Sequence, residues 1–246
     1  MKNKVSLLGV LGGLGPMSTV YFCELLTAHT YAQADADHID MLVSSRASTP
    51  DRTAFILGKS TRDPLPVMRE ECARLERAGA DLLVIPCNTA HYFYNGLKES
   101  TSVPMLNIIE ETVLHLKRLS VQVFGLLATE GTVSAGAYHE ICRREGLTCL
   151  VPTESEQRLI SSIIYDEIKQ NKPIDRAAFD RVANSLLEKG CERLVLGCTE
   201  LSLLKKQGLD DGIFVDSLEV LAYRTILACG KTPVGFPASF ETEDKA

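Results

Sequence analysis

Apolar residues fall along this chain in two rhythms. Short, almost unbroken aliphatic runs occur at 5–11, 39–44, 82–85, 104–106, 121–127, 148–151, 193–196 and 213–215. Such runs have the length and composition of strands buried on both faces. Between them, apolar positions recur every three to four residues at 17–31, 65–78, 89–98, 108–119, 134–144, 154–169, 176–188 and 218–228. That spacing predicts helices with one buried face. Gly79, Gly146 and Gly190 follow three of these stretches, where a left-handed residue ends a helix. Non-alternating strands joined by helices predict an α/β fold of parallel sheets covered on both faces. The last ten residues, PASFETEDKA, leave the pattern and are expected to fray.

The pattern also repeats. GADLLVIPCN at 79–88 and GCERLVLGCT at 190–199 share a glycine, an acidic residue two places on, a Leu-Val pair, an aliphatic residue and a cysteine, at one common spacing. VSLLGVLGGLG at 5–15 and VQVFGLLATEG at 121–131 match at Val5 and Val121, Gly9 and Gly125, Leu11 and Leu127, and Gly15 and Gly131. Two independent matches at nearly the same offset predict two similar lobes related by a pseudo-twofold axis. The first lobe is expected to span 1–119 and to be rejoined by 212–246; the second is expected to span 120–211. Ligands of parallel sheets bind beyond the carboxyl ends of the strands, which places the active site in the cleft between the lobes.

Composition narrows the chemistry. The chain has 246 residues, of which 45% are hydrophobic, enough for a substantial core, and a net charge of −6 with no basic block. Nucleic acid is therefore not an expected partner. No apolar run reaches membrane-spanning length, and MKNKVSLLGVLGG runs into glycines rather than a cleavage site, so a cytoplasmic protein without membrane contact is expected. The eight cysteines are expected to be reduced, and with no CxxC and no clustered Cys/His spacing, no metal site is expected. GVLGGLGP at 9–16 lacks the G-x-G-x-x-G spacing and reads better as a loop that presents a helix N-terminus to a substrate carboxylate. CGKT at 229–232 lacks the upstream glycine of a P-loop, and neither G-x-S-x-G nor H-E-x-x-H occurs.

One cysteine at a strand end reads most simply as a small buried hydrophobe. Cys87 and Cys198 lie at equivalent strand ends of the two repeats, and that coincidence favours a functional pair. Two thiols on opposite sides of one molecule suit inversion of a carbon stereocentre, in which one ionised group takes a proton from one face and one protonated group returns a proton to the other. Asn88 and Thr199 directly follow the cysteines and can begin helices whose N-termini favour a thiolate. A disulfide between the two is the redox alternative, disfavoured in a cytosolic chain.

GVLGGLGP, STPDRTAFIL at 48–57, PCNTAH at 86–91 and LGCTELSLL at 196–204 together resemble the aspartate/glutamate racemase family, over essentially the whole chain. The resemblance implies an isomerase that interconverts L- and D-aspartate, with glutamate as a further substrate, by a two-cysteine, two-base mechanism. It also implies independence of pyridoxal phosphate and metal, two α/β lobes and a homodimer. PDRT is similar to the aspartate racemase branch, which assigns Arg52 to the side-chain carboxylate of a dicarboxylic amino acid; IIYDEIKQN assigns Lys169 a similar role. The chemistry fits, because an arginine can hold a carboxylate through two parallel hydrogen bonds. Taken alone, Lys169 reads as a solvated helix-end lysine, and only the motif assigns it to the substrate. By resemblance Cys87 acts on the D form and Cys198 on the L form.

Asn88, Thr89 and Thr199 follow the thiols, and Thr129 and Thr132 lie on the matching loop of the second lobe, so these five are assigned to the substrate. Glu200 reads either as a group that orients a thiol or the α-amino group, or as a solvent-facing acid. His91 reads as a packing residue in preference to a base. The other six cysteines read as packing. Alternatives are a hydantoin racemase or maleate isomerase of the same superfamily, or a non-enzymatic binder of acidic amino acids.

Overall fold

The structure, a computed structural model, describes residues 5–209 and 212–240. The expected lobe boundary at Asp211 and the final six residues of the tail lie outside them. Seven strands, β1 (Leu8–Gly12), β2 (Met41–Ser45), β3 (Leu82–Val84), β4 (Val123–Leu127), β5 (Thr148–Leu150), β6 (Arg193–Leu196) and β7 (Phe214–Asp216), form two parallel sheets in the orders β2-β1-β3 and β5-β4-β6-β7. Helices α1 (Pro16–Ala28), α2 (Arg52–Ile56), α3 (Leu65–Arg77), α4 (Tyr94–Lys98) and α5 (Ile108–Arg118) belong to the first half. Helices α6 (Glu130–Ala135), α7 (Ala137–Glu145), α8 (Glu154–Ser162), α9 (Arg176–Glu188) and α10 (Ser217–Ala228) belong to the second. This is the two-lobed α/β architecture expected.

The sequence repeat has a physical cause. Gly9 and Gly125 occupy equivalent places on the central strands β1 and β4, and in both a helix and a neighbouring strand press on the backbone. A Cβ at Gly9 would stand 2.6 Å from the Leu83 side chain, and one at Gly125 would stand 2.6 Å from that of Leu194. Along the strands, successive side chains enter different cores. Leu8, Val10, Phe124, Leu126 and Val195 point into one core shared by both lobes, Leu83 and Ile85 into a core of the first lobe, and Leu127 and Leu196 into one of the second. Gly79, Gly146 and Gly190 take φ values of +95°, +81° and +92°, as expected of residues that end helices.

The connections differ from expectation. Strand β7 pairs with β6, so residues expected to return to the first lobe extend the second sheet instead. What crosses back is α10, which packs on α1 and α5. The exchange is reciprocal, since α5, which leaves the first lobe, packs on α7 of the second. Segment 104–106 is the counterpart of β7 but makes only one parallel bridge, Leu83 to Met105. Ile109, Val113 and Leu116 of α5 and Leu218, Leu221 and Ile226 of α10 are at most 1% exposed. Each such side chain contributes about 1.5–3 kcal/mol on burial, which ties the lobes into one folding unit.

Three helices expected to be continuous are broken. The 89–98 stretch starts as a 3₁₀ helix, Thr89–Phe93, and only then becomes α4. The 134–144 stretch starts earlier, as α6, and is divided from α7 by Gly136 at φ +68°. After α8 the chain widens to a π-helical turn, Ile163–Glu167, and tightens to a 3₁₀ turn, Ile168–Gln170, ended by Asn171 at φ +54°. The tail does not fray where it begins. Phe240 is buried, with its ring centroid 4.4 Å from that of His115 and 4.9 Å from that of Tyr223.

Candidate active site

The two thiols arrive by equivalent routes. From β3 the chain passes Ile85 and Pro86 to Cys87 and then coils into the 3₁₀ turn Thr89–Phe93; from β6 it passes Gly197 to Cys198 and then into the 3₁₀ turn Leu201–Gln207. Both cysteines are buried and both line one small, partly open cavity between the lobes. Arg52, Asn88, Thr89, Thr129, Lys169 and Thr199 line it too, so every site residue expected from sequence reaches the cavity except Thr132. Thr132 supports the wall from behind: its hydroxyl is 2.9 Å from that of Thr89 and 3.0 Å from that of Thr129.

The residues after the thiols join the lobes. Thr199 donates to the Pro86 carbonyl at 3.3 Å, from the second lobe to the first. Asn88 runs the opposite way. Its Nδ2 donates to Ser217 Oγ at 2.9 Å and its Oδ1 accepts from the Tyr138 hydroxyl at 2.7 Å, which leaves one amide N–H for the cavity. The hydroxyls of Thr89, Thr129 and Thr132 form a closed triangle across the same seam, which an anion can reorient toward itself.

Arg52 begins α2, where Asp51 caps the helix by accepting from Ala54 N–H. The guanidinium is buried, donates to the carbonyls of Leu14 at 2.5 Å and Pro50 at 3.0 Å, and leaves Nε without a partner. Among the described residues no carboxylate pairs with it. A buried, unneutralised guanidinium is expensive and is relieved by an anion entering the cavity.

Lys169 lines the cavity from the 3₁₀ turn that follows the π-helical turn. Tyr165 lines the same wall, and Lys169 Nζ stands 5.7 Å from the centroid of its ring. Lys169 pairs with Glu200, whose Oε2 accepts from Cys198 Sγ at 3.0 Å. Burial pulls the Lys169 ammonium down, but the Glu200 and thiol charges outweigh it and hold it above its ordinary value. Burial pushes the Cys87 thiol up, opposed by Arg52. Burial and then the Glu200 charge push Cys198 well above the usual thiol range.

His91 is not a base. Its Nε2 accepts from Ile108 N–H at 3.2 Å, so Nδ1 carries the proton and donates to the Cys87 carbonyl at 2.9 Å. Burial depresses it to about 4. Sequence reasoning did not single out Leu14, Asp51, Thr53 or Tyr165 as cavity residues, although all four lie inside motifs it quoted. The other six cysteines lie outside the cavity, and among the described residues no group of three or more His, Cys, Asp or Glu is placed to hold a metal.

A family model described as Asp/Glu/Hydantoin racemase matches residues 11–224. The broad specificity amino-acid racemase RacX of Bacillus subtilis is 24% identical over 224 residues, 89% of this chain and 96% of that protein. The structure of Picrophilus torridus aspartate racemase superposes with a TM-score of 0.81 at 28% identity, covering 97% of this chain and 99% of the other. Glutamate racemase from Aquifex pyrophilus shares the fold, with a TM-score of 0.57 at 20% identity over 90% of this chain and 82% of that one.

Proposed function

The chain belongs to the Asp/Glu/Hydantoin racemase family, and from that premise we propose that it interconverts L- and D-aspartate by two-base proton transfer at Cα between Cys87 and Cys198, without pyridoxal phosphate or metal. The observation that carries this reading is the arrival of two thiols, from equivalent strand ends, at one buried cavity that also holds an unneutralised arginine. Lys169 is paired with Glu200, and Arg52 has no carboxylate partner among the described residues, so the cavity offers an open cation to a substrate with two carboxylates and one ammonium. Arg52 and Lys169 take the distal carboxylate. The amide of Asn88 and the hydroxyls of Thr89, Thr129 and Thr199 take the α-carboxylate.

In the D-to-L direction the Cys87 thiolate removes the Cα proton from one face and the Cys198 thiol delivers its proton to the other; L-to-D reverses the roles. The Picrophilus torridus aspartate racemase supports aspartate as substrate, while the broad specificity of the Bacillus subtilis racemase makes glutamate and neutral amino acids necessary members of the panel. The test is chiral chromatography of L-aspartate, D-aspartate, L-glutamate and L-alanine incubated with enzyme and no added cofactor. Fastest racemisation of aspartate, abolished by Cys87→Ala and by Cys198→Ala, is expected. A cysteine variant with near-full activity would contradict the reading. Saturable aspartate binding with no racemisation would make the protein a binder.

A further inference from the structure

The two thiols sit at equivalent strand ends, after β3 and β6, but the residues that follow them break the equivalence. The first position after each thiol keeps the symmetry, since Asn88 and Thr199 both reach across the seam. The second does not. After Cys87 it is Thr89, which sits among the hydroxyls of Thr129 and Thr132. After Cys198 it is Glu200, buried, accepting from Cys198 Sγ at 3.0 Å and paired with Lys169. Space for this carboxylate is built into the opposite lobe, because a Cβ at Gly15 would stand 2.4 Å from Glu200 Oε1. Gly131, the partner of Gly15 in the repeat, is instead filled by Thr53, with Oγ1 2.7 Å from its ideal Cβ.

Building on the two-base reading, we infer that Glu200 is the positioning residue that makes the two thiols inequivalent. It holds the proton on Cys198, so the resting enzyme carries its acid on the second lobe and its ionisable base, Cys87, beside Arg52. The charged and titratable groups that line the cavity with Cys198 are Glu200 on its own segment, Lys169 and Tyr165 on the turns after α8, and Cys87, Arg52 and Asp51 from the first lobe. Of the two carboxylates, Asp51 is turned to its own helix as a cap and Glu200 is the one hydrogen-bonded to the thiol. No proton is created or lost: the one Cys87 takes from Cα is matched by the one Cys198 gives to the opposite face. Because the two enantiomers are equally stable, kcat/KM is the same in both directions, and the inequivalence appears as unequal kcat values matched by unequal KM values.

The test reads the thiol directly. Cys198 ionisation is followed as thiolate ultraviolet absorbance against pH in a Cys87→Ser background, with the Cys87→Ser/Cys198→Ser protein subtracted. Glu200→Gln removes an anion and leaves the Lys169 charge uncompensated, so the Cys198 transition should fall by about 1–3 pH units. Glu200→Asp should keep it high. Lys169→Met should raise it, a change of opposite sign that a general loosening of the site does not produce, and one that serves if the glutamine variant does not fold. With both cysteines present, Glu200→Gln should also bring the two kcat values together. A Cys198 transition unmoved by Glu200→Gln, or kcat values that stay as unequal as in the parent, would overturn the inference. Absence of racemisation in the unsubstituted enzyme would instead sink the functional reading, and the titration would still stand.

Discussion

Gly15→Ala separates the fold from the site. Gly15 precedes α1 with φ −111° and ψ 143°, a conformation open to alanine, so the backbone does not object. The objection is spatial: the new carbon would stand 2.4 Å from Glu200 Oε1 and 3.5 Å from Lys169 Nζ, about 1 Å inside ordinary contact with the oxygen. A carboxylate at the end of a side chain can rotate away at small cost to folding. Overpacking costs about 1–3 kcal/mol, and replacing glycine returns about 0.4–1 kcal/mol through the unfolded chain, so Tm should fall by only a few degrees. The site loses more. Turning Glu200 aside breaks its bonds to Cys198 and Lys169, and a hydrogen bond to a charged group is worth about 1.5–3 kcal/mol, a factor of about 10 to 150 in rate. Initial rates by chiral chromatography, beside a thermal melt, measure both. Gly131→Ala is the contrast, since its Cβ would meet the backbone at Thr53 Cα, 2.8 Å away, and must push α2 itself. Near-normal activity in Gly15→Ala would refute the reasoning, because the carboxylate's position would then not matter.

Three further outcomes are expected. His91 is held near 4 against an ordinary 6.5, so its contribution to stability is complete above about pH 6.5 and is lost on acidification toward 4, about 3 kcal/mol in all; denaturant unfolding at several pH values should show this slope, and His91→Gln should flatten it. Tyr138→Phe takes the buried hydroxyl from Asn88 Oδ1 and should destabilise by about 1–3 kcal/mol in urea unfolding; a loss within error would show that Asn88 finds another donor. Both thiols are raised by burial, and turnover needs one of them ionised, so kcat/KM should still be rising with pH beyond the ordinary thiol value of about 8.5; a profile that levels off on the acid side of it would mean the bound substrate or another group sets the ionisation.

Much of this architecture was legible before any coordinates. Buried strands carry a strong signal, and the 176–188 stretch forms a helix with those bounds, Arg176–Glu188, because its apolar spacing and its capping residue Asp175 agree. The two thiols were legible because a repeat tied them to matching strand ends. Other features depend on contacts distant in sequence. The apolar face of α10 says that it is buried but not against which lobe, so the sequence alone places the preceding strand in the wrong sheet. The π-helical turn that carries Tyr165 has Ile163 and Ile164 anchored in the second-lobe core, a packing that periodicity does not encode. Phe240 is one aromatic residue in a polar tail, and only the rings of His115, Tyr223 and Phe236 explain its burial. The sequence around Glu200 fits a site role and solvent exposure alike, and what decides between them is Gly15, far away in sequence, which leaves room for its carboxylate.

The central claim is that two thiols act on opposite faces of one carbon. Its most direct test is the early reaction of L-aspartate in deuterium oxide, followed by proton NMR with chiral separation of the product. Two bases predict that the first D-aspartate formed carries solvent deuterium at Cα while unreacted L-aspartate keeps its proton, because the thiol that delivers the hydrogen has exchanged with solvent. D-aspartate that retains the original proton, or L-aspartate that exchanges faster than it inverts, would show one base working on one face, and would contradict the roles given to Cys87 and Cys198.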